Sequence, residues 1–281
     1  MRYEFINREY KAWPIRLMCS VFKVSESGFY AWRKRPKVAA PERLKLHTQV
    51  RQVVIAHKNR YGSRRVSAEL RAKGIDAGRK LARNLMREAG VEVLYPKRKR
   101  KTTDSDHGLP VFENKLDRNF EPDGPNQVWA SDITYIRTLE GWLYLNVVVD
   151  LYSRKVVGWS IRDDLSRKLA VDALEMAYNL RLPGKGLIHH SDRGSQYASD
   201  DFKKLLRLYG MIGSMSRKGD CWDNACVESF FGSLKNEQVY CTTYKTKREA
   251  KLDIVEYLMY YNSERRHSYC GQMSPNEYER A

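Results

Sequence analysis

Three carboxylates stand out by their setting. Asp132 interrupts a run rich in β-formers, Trp129 to Ile136 (WASDITYI). Asp192 follows the apolar run that opens at Gly186-Leu187-Ile188-His189-His190. Glu228 comes after thirty-five intervening residues, in a stretch from Asn224 to Asn236 that reads as a helix. Carboxylates gathered from separate elements repel and raise one another's pKa unless a cation sits among them. Their hard oxygen donors suit Mg²⁺, which is ordinarily held by one or two carboxylates plus substrate phosphates. Two such ions about 4 Å apart stabilise both the attacking and the leaving oxygen of an in-line phosphoryl displacement. Such a grouping points to phosphodiester chemistry.

A chain with 34 acidic residues offers many triples, and a lone Asp at a strand end is ordinarily a solvated or capping residue. Order and company separate these three. WASDITYI, His190 to Tyr197 (HSDRGSQY) and Asp223 to Phe231 (DNACVESFF) follow one another, and Lys235 lies seven residues after Glu228. Seven residues is close to two helical turns, so Lys235 shares the Glu228 face, where a cation can hold a DNA phosphate beside metal ions.

These segments resemble the DDE-type transposase/integrase superfamily, which includes the retroviral integrases. They resemble more closely the OrfB-type catalytic transposase of bacterial insertion sequences of the insertion-sequence-three family, over nearly the whole chain. The resemblance implies an RNase H-like core, two Mg²⁺ ions with Mn²⁺ as a substitute, and Asp132, Asp192 and Glu228 as catalytic residues and metal ligands. Asp132 is then expected to bridge or nearly bridge the ions, Asp192 to hold one and Glu228 the other.

Charge is distributed unevenly. The net charge is +17 and the pI near 9.6, which implies a polyanionic partner. Residues 1–101 hold 27 Lys/Arg against 8 Asp/Glu, whereas the remainder holds 24 against 26. A basic binding region followed by a nearly neutral catalytic region is the simplest account. Five scattered cysteines (Cys19, Cys221, Cys226, Cys241, Cys270) without a C-x-x-C pair fit a reducing compartment and free thiols. Neither a His-His-Cys-Cys zinc pattern, a membrane-length apolar run nor a secretory leader is visible. The expected location is cytoplasmic, bacterial and nucleoid-associated when bound to DNA.

The elements that must position the carboxylates follow from periodicity. Trp13 to Trp32 reads as two short helices, with Ile15, Leu17, Met18, Val21 and Phe22 as the apolar face and Ser25 as a candidate N-cap. A further helical region runs from about Arg43 to Ala89, with Arg79, Lys80, Arg83 and Arg87 on its outer side. Lys97, Arg98, Lys99 and Arg100 belong to a basic stretch that serves either as a DNA-contacting arm or as a solubilising tether. Val128–Ile136, Gly141–Asp150 and Lys155–Ile161 suit an antiparallel meander. A helix capped by Ser166 and running through Leu180, with Leu169, Ala173, Ala177 and Leu180 inward, a strand at 186–190, a helix capped by Ser199 and a strand at 211–215 follow. Capping signatures at Thr246–Glu249 and Ser274–Glu277 start two more helices.

The expected fold is therefore α/β, an RNase H-like integrase catalytic core preceded by an all-α helix-turn-helix-like DNA-binding region. The expected segments are a helix-turn-helix-like segment at 1–45, a second helical DNA-binding segment at 46–96, a basic/polar linker at 97–123, the catalytic core at 124–240 and a C-terminal helical tail at 241–281. Candidate DNA contacts are Lys235, Arg193, Arg217, Lys218, Arg79, Arg83 and the 97–100 run. Arg265 and Arg266 either touch DNA or pair with the acidic residues of the C-terminal tail.

The function expected from the resemblance is DNA transposition: two-metal-ion cleavage at the ends of a mobile element, then strand transfer by the freed 3′-hydroxyl. Its partners would be the terminal inverted repeats, target DNA, further copies of the chain on DNA, and an upstream-frame (OrfA-type) protein or fusion, with no membrane. Two rivals stand beside it: a metal-dependent RNase H-fold nuclease that cuts without joining, and a domesticated DNA-binding relic.

Overall fold

Helical periods organise the first ninety residues, and strand alternation takes over after residue 127. The computed structural model describes residues 1–34, 41–94, 111–117, 119–217 and 224–281. Lys97, Arg98, Lys99, Arg100 and Lys218 lie outside the described residues.

Helices α1 (Arg2–Glu9), α2 (Ile15–Val21) and α3 (Glu26–Arg33) close a small core of Ile6, Met18, Cys19 and Phe29. Ser25 caps α3 by accepting from the Gly28 amide at 3.0 Å. The apolar face expected for α2 is partly wrong: Met18 is buried, but Leu17 and Val21 are 52% and 69% exposed. The buried stripe turns through Cys19, because α1 supplies Ile6 from the other side. α4 (Pro41–Ala56), α5 (Ser63–Ala72) and α6 (Arg79–Glu88) bury Val50, Val53, Val54, Val66, Leu70, Leu85 and Met86.

The strands β1 (Val128–Thr138), β2 (Gly141–Asp150) and β3 (Val156–Arg162) form the antiparallel meander. Gly141, at φ +107, makes the tight β1–β2 connection that an L side chain would strain. Helix α7 (Arg167–Arg181) then crosses to β4 (Ile188–Ser191), and α8 (Ser195–Ala198) and α9 (Asp200–Leu208) lead to β5 (Ile212–Met215). β4 runs parallel to both β1 and β5, giving the sheet order β3-β2-β1-β4-β5. Gly158 lets α7 settle onto β3, since a Cβ there would lie 2.4 Å from the Ala173 carbonyl oxygen. Leu180, expected inward, is 64% exposed, because α7 has run past the sheet by its last turn.

The sheet is covered on both faces. Trp129, Val148 and Val157 pack with Ala173, Leu174, Phe202 and Leu206 on one side. On the other, Ala130, Ile136, Leu145 and Val147 pack with α10 (Ala225–Glu237) and α11 (Lys247–Ser263). The residues buried by α4, α5 and α6 belong to this second core. Helical region, α10 and α11 therefore share one apolar interior. The short helix α12 (Pro275–Tyr278) starts with the anticipated capping box, Ser274 and Glu277 each satisfying the other's backbone amide. Just beyond it, Glu279 accepts from Arg181 at 2.9 and 3.1 Å and from Lys155 at 2.9 Å, fastening the end of the chain to α7 and the start of β3. The Asn262 amide pairs with both backbone groups of Val156, blunting the β3 edge. Among the described residues no helix is long and apolar enough to cross a membrane.

An ion cluster joins these layers. Glu237, at the end of α10, accepts from Arg265 at 2.7 and 2.8 Å, from Arg65 of α5 at 2.9 Å and from the Tyr257 hydroxyl at 2.9 Å. Arg266 pairs with Glu69, so Arg265 and Arg266 are both spent on acidic partners. Burial alone would raise the Glu237 pKa, but hydrogen bonds and charge from Arg265 and Arg65 outweigh it and hold the value at about 2. Removing one partner of a buried pair leaves an uncompensated charge. Arg265→Met is expected to destabilise the fold by about 3–5 kcal/mol, and adding Glu237→Gln to recover most of that loss. Because the folded Glu237 pKa lies below the unfolded value near 4.5, its stabilisation is complete above pH 4.5 and lost as pH falls towards 2. Urea midpoints at pH 7 and pH 3 test both statements; a loss under about 1 kcal/mol for Arg265→Met would contradict the cluster's role.

Candidate active site

β1 and β4 set the first two carboxylates side by side. Ser131 and Ser191 are register partners in a parallel pair spaced about 4.8 Å apart, so Asp132, the next residue of β1, and Asp192, the first residue past β4, lie side by side. The Ile133 amide donates to Asp132 Oδ1 at 2.8 Å, and the Gly194 amide to Asp192 Oδ1 at 2.9 Å. The second bond is an Asx turn that bends the chain into α8. Each carboxylate is thus oriented by a local amide.

A buried polar layer holds the strand ends underneath. His189 Nε2 lies 2.8 Å from Ser131 Oγ, linking β4 to β1. His190 reaches Ser214 Oγ at 2.9 Å and Ser216 Oγ at 3.2 Å, linking β4 to β5. Burial, with a smaller push from His190, lowers the His189 pKa to about 3, so this imidazole is neutral at ordinary pH. Burial also drives the Tyr197 hydroxyl upward, helped by the charges of Asp132 and Asp192, and it donates to Asn146 Oδ1 at 3.0 Å. Sequence reading passed over Ser131, His189, His190, Ser214 and Asn146 as a buried polar layer beneath the candidate carboxylates. The adjacent histidines in an apolar run were the available signal.

The third carboxylate arrives on α10. Val227, Phe230, Phe231 and Leu234 bury the apolar stripe of that helix, leaving Glu228 and Lys235 half-buried. Asn224, just before the helix, donates from Nδ2 to the Ser131 carbonyl at 3.4 Å and ties α10 to the strand position preceding Asp132. The electrostatics join all four groups. Burial, then the negative charges of Asp192 and Glu228, push the Asp132 carboxyl up to about 8; the Ile133 amide and the Lys235 ammonium oppose the rise.

The group is not a ready-made cage. Among the described residues no set of three His, Cys, Asp or Glu side chains is arranged to hold one ion. The donor chemistry nonetheless fits Mg²⁺, which takes one or two carboxylates per ion and fills its remaining positions with water and phosphate oxygens. The unfavourable ionisation of Asp132 fits it too, since a divalent cation would reverse that penalty.

The other anticipated residues disperse. Arg193 is half-buried, and its Nε donates to the Ser216 carbonyl at 2.7 Å, which braces the end of β5. Arg217 is exposed and meets Asp117 at 2.8 Å. Arg79 and Arg83 line a separate cleft on the helical region. Cys226 accepts from Arg154 Nη1 at 2.7 Å, and burial raises its thiol pKa against the pull of Arg154. An aromatic shelf that the sequence reading did not single out runs along the β1–β2 hairpin. Tyr135 meets Tyr144 and Trp142 edge-on at 5.2 and 6.3 Å, and its hydroxyl feels Asp192 and Asp132.

Residues 122–221 and 228–281 each match an integrase core domain family, and residues 41–100 match an HTH-like domain family. The chain is 41% identical over 285 residues to the transposase InsF for insertion sequence IS3A of Escherichia coli (strain K12), covering 99% of this chain and 98% of that protein. It is 42% identical over 262 residues to the insertion element IS600 uncharacterized 31 kDa protein of Shigella sonnei, covering 92% and 96%. A chain of the simian T-cell lymphotropic virus intasome, solved by cryo-electron microscopy in complex with PP2A regulatory subunit B56 gamma, superposes with a TM-score of 0.50. That match has 17% identity and covers 83% of this chain and 74% of that one, so what is shared is the fold.

The Asp132 environment gives a pH test. Its folded pKa of about 8 exceeds the unfolded value near 3.8, so the folded state keeps a proton that the unfolded chain releases. Stability therefore falls as pH rises from about 4 to about 8 and then levels. Asp132→Asn is expected to raise the thermal midpoint of chelator-treated protein at pH 8, with the gain shrinking towards pH 4. A gain that is the same at both pH values, or none, would show that Asp132 does not sit in this field.

Proposed function

The chain belongs to the IS3 family of insertion-sequence transposases, which are polynucleotidyl transferases, and from that footing we propose that Asp132, Asp192 and Glu228 are its catalytic carboxylates and hold two Mg²⁺ ions, with Mn²⁺ as a substitute. The observation that carries the assignment is the shared electrostatic environment in which Asp192, Glu228 and Lys235 all act on Asp132. When bound, the ions supply the positive charge that stabilises the attacking and leaving oxygens of an in-line displacement.

The reaction proceeds in two displacements. In the first, a water oxygen attacks the phosphorus at the element end, the bond from phosphorus to the element's 3′ oxygen breaks, and that oxygen leaves as a 3′-hydroxyl carrying a proton. In the second, the 3′-hydroxyl oxygen attacks a target phosphorus and gives up its proton, while the target's own 3′ oxygen departs and takes one. One phosphodiester is exchanged for another, so the second step needs no external energy source. Nor does either step need a covalent protein–DNA bond.

The side chains of the site serve these steps by position. The Ile133 and Gly194 amides fix the Asp132 and Asp192 carboxylates, and α10 carries Glu228 and Lys235 across β1 as a unit. Lys235 is a compact ammonium beside the carboxylates, suited to a non-bridging phosphate oxygen. For the rest of the DNA we assign Arg79, Arg83 and Arg217, with Lys97, Arg98, Lys99, Arg100 and Lys218 on charge alone. Arg193 is assigned to bracing the Ser216 backbone. The substrates are terminal inverted repeats and target DNA in the cytoplasm, engaged by several copies of the chain together with an upstream-frame protein.

A branched oligonucleotide that mimics a strand-transfer product, incubated with Mg²⁺ or Mn²⁺, tests this reading. Wild type should resolve and rejoin it in a metal-dependent way, and Glu228→Gln should give no product. Lys235→Gln should still bind the branched DNA but turn it over about 10²-fold more slowly, the usual cost of losing one group that stabilises developing charge. Cutting without rejoining would replace the reading with a nuclease. DNA binding without any chemistry, even with the upstream partner supplied, would replace it with a DNA-binding relic.

A further inference from the structure

Away from the carboxylates, the helical region and the segment after α11 enclose a cleft of about 440 Å³. Its walls include Ser63, Arg64 and Arg65 at the start of α5, Arg79 and Arg83 on α6, and Ser268 and Gln272 across from them. No acidic side chain lines it among the described residues. Both helices begin behind a glycine, Gly62 and Gly78, without a side-chain cap, so their first amides keep uncompensated positive character.

Of the other arginines, Arg43 is committed to Glu88, Arg51 to the Ala89 carbonyl and Arg60 to the Glu237 carbonyl, and within the cleft Arg65 is held by the Glu237 carboxylate. Arg64, Arg79 and Arg83 are exposed and have no hydrogen-bond or ion-pair partner among the described residues. On the opposite wall Gln272 stands at φ +68, a left-handed conformation that costs energy in a non-glycine residue, and its Oε1 is buried without a partner. Three uncompensated guanidinium groups facing one concavity repel one another unless an anion lies between them.

We propose that this cleft is a binding site for a backbone phosphate of duplex DNA, shared between the helical region and the C-terminal segment. The proposal rests on the transposase reading and deepens it. Guanidinium forks give charge-assisted, bidentate hydrogen bonds to phosphate oxygens, and the Ser63 and Ser268 hydroxyls add donors. Exposed Lys80 and Arg87 continue the positive row along α6, over about 12 Å, which suits a phosphate chain better than one free anion. The contact is blind to sequence and sets the register of the duplex. Because Arg65 lines the cleft and also holds Glu237, a phosphate seated there is one side chain removed from the helix that carries Glu228.

The test measures duplex binding by the full chain, by fluorescence anisotropy across a KCl series. The Gln triple variant at Arg64, Arg79 and Arg83 is compared with a charge-matched triple, Lys204→Gln, Arg207→Gln and Arg248→Gln, and with Lys at the same three cleft positions. The cleft Gln variant should lose at least about tenfold in affinity, with a log–log salt slope shallower by at least about 0.9, the value of one phosphate contact. The loss should be equal on an element end and on an unrelated duplex. The Lys variant should keep the wild-type slope, as should the charge-matched control. Arg83→Gln alone, at an exposed and unpaired position, should shift affinity in the same direction. An unchanged slope, an equal change in the control, or a loss confined to one sequence would each overturn the phosphate site and leave the transposase reading intact. Wild type that binds no duplex under any salt condition would overturn both.

Discussion

The mutual repulsion of Asp132, Asp192 and Glu228 is the constraint around which this fold is arranged. Each carboxylate alone would be unremarkable on a surface. Held together, with Asp132 pushed to about 8, they carry an energetic penalty that the surrounding structure must outweigh. The parallel register of β1 and β4 sets Asp132, inside β1, beside Asp192, just past the end of β4, and the amides of Ile133 and Gly194 fix their orientation. Neutral histidines and serines beneath knit β1, β4 and β5 without adding charge. Buried polar groups so paired are rigid, which is what a site meant to position phosphates requires.

The third carboxylate depends on a helix held at both ends. Asn224 ties the start of α10 to β1, while Glu237 at its far end sits in a cluster with Arg65, Arg265 and Tyr257. Glu228 and Glu237 are nine residues apart, about 13 Å along one rigid rod. The clamp therefore joins the helical region to the sheet through the element that carries the third candidate carboxylate. Neutralising Glu237 or Arg265 should be felt at the active site as well as in stability, because the apolar core beneath α4–α6 and α10–α11 is continuous.

Much of this was legible before any coordinate. The three-strand meander, the crossover to β4 and the caps at Ser25, Ser199 and Ser274 follow from periodicity and cap chemistry, which act over a few residues. Where reading failed, the competing influence was a distant neighbour. Leu17 and Val21 lie on a plausible apolar stripe of α2, but α1 turned the buried face towards Cys19. Leu180 fits the period of α7 yet falls beyond the sheet that would cover it. Arg193, beside Asp192, could serve the substrate or the support of the site, and only folding shows that its Nε braces the Ser216 carbonyl. Arg265 and Arg266 pair with Glu237 and Glu69, acids far from them in sequence.

The sequence by itself determined which residue types recur in which setting: one acid inside a β-rich run, one just past an apolar run and one in a helical stretch, a cation two turns after the last of them, and an excess of positive charge confined to the first hundred residues. Those properties are local or additive, and a linear chain displays them directly. Tertiary structure alone decided which charges compensate one another. Electrostatic and hydrogen-bond energies depend on separation and burial, and neither is written in sequence distance. Folding paired Arg65 with Glu237 and buried His189 neutral against Ser131. It also left Arg64, Arg79 and Arg83 without acidic partners among the described residues, around a single cleft.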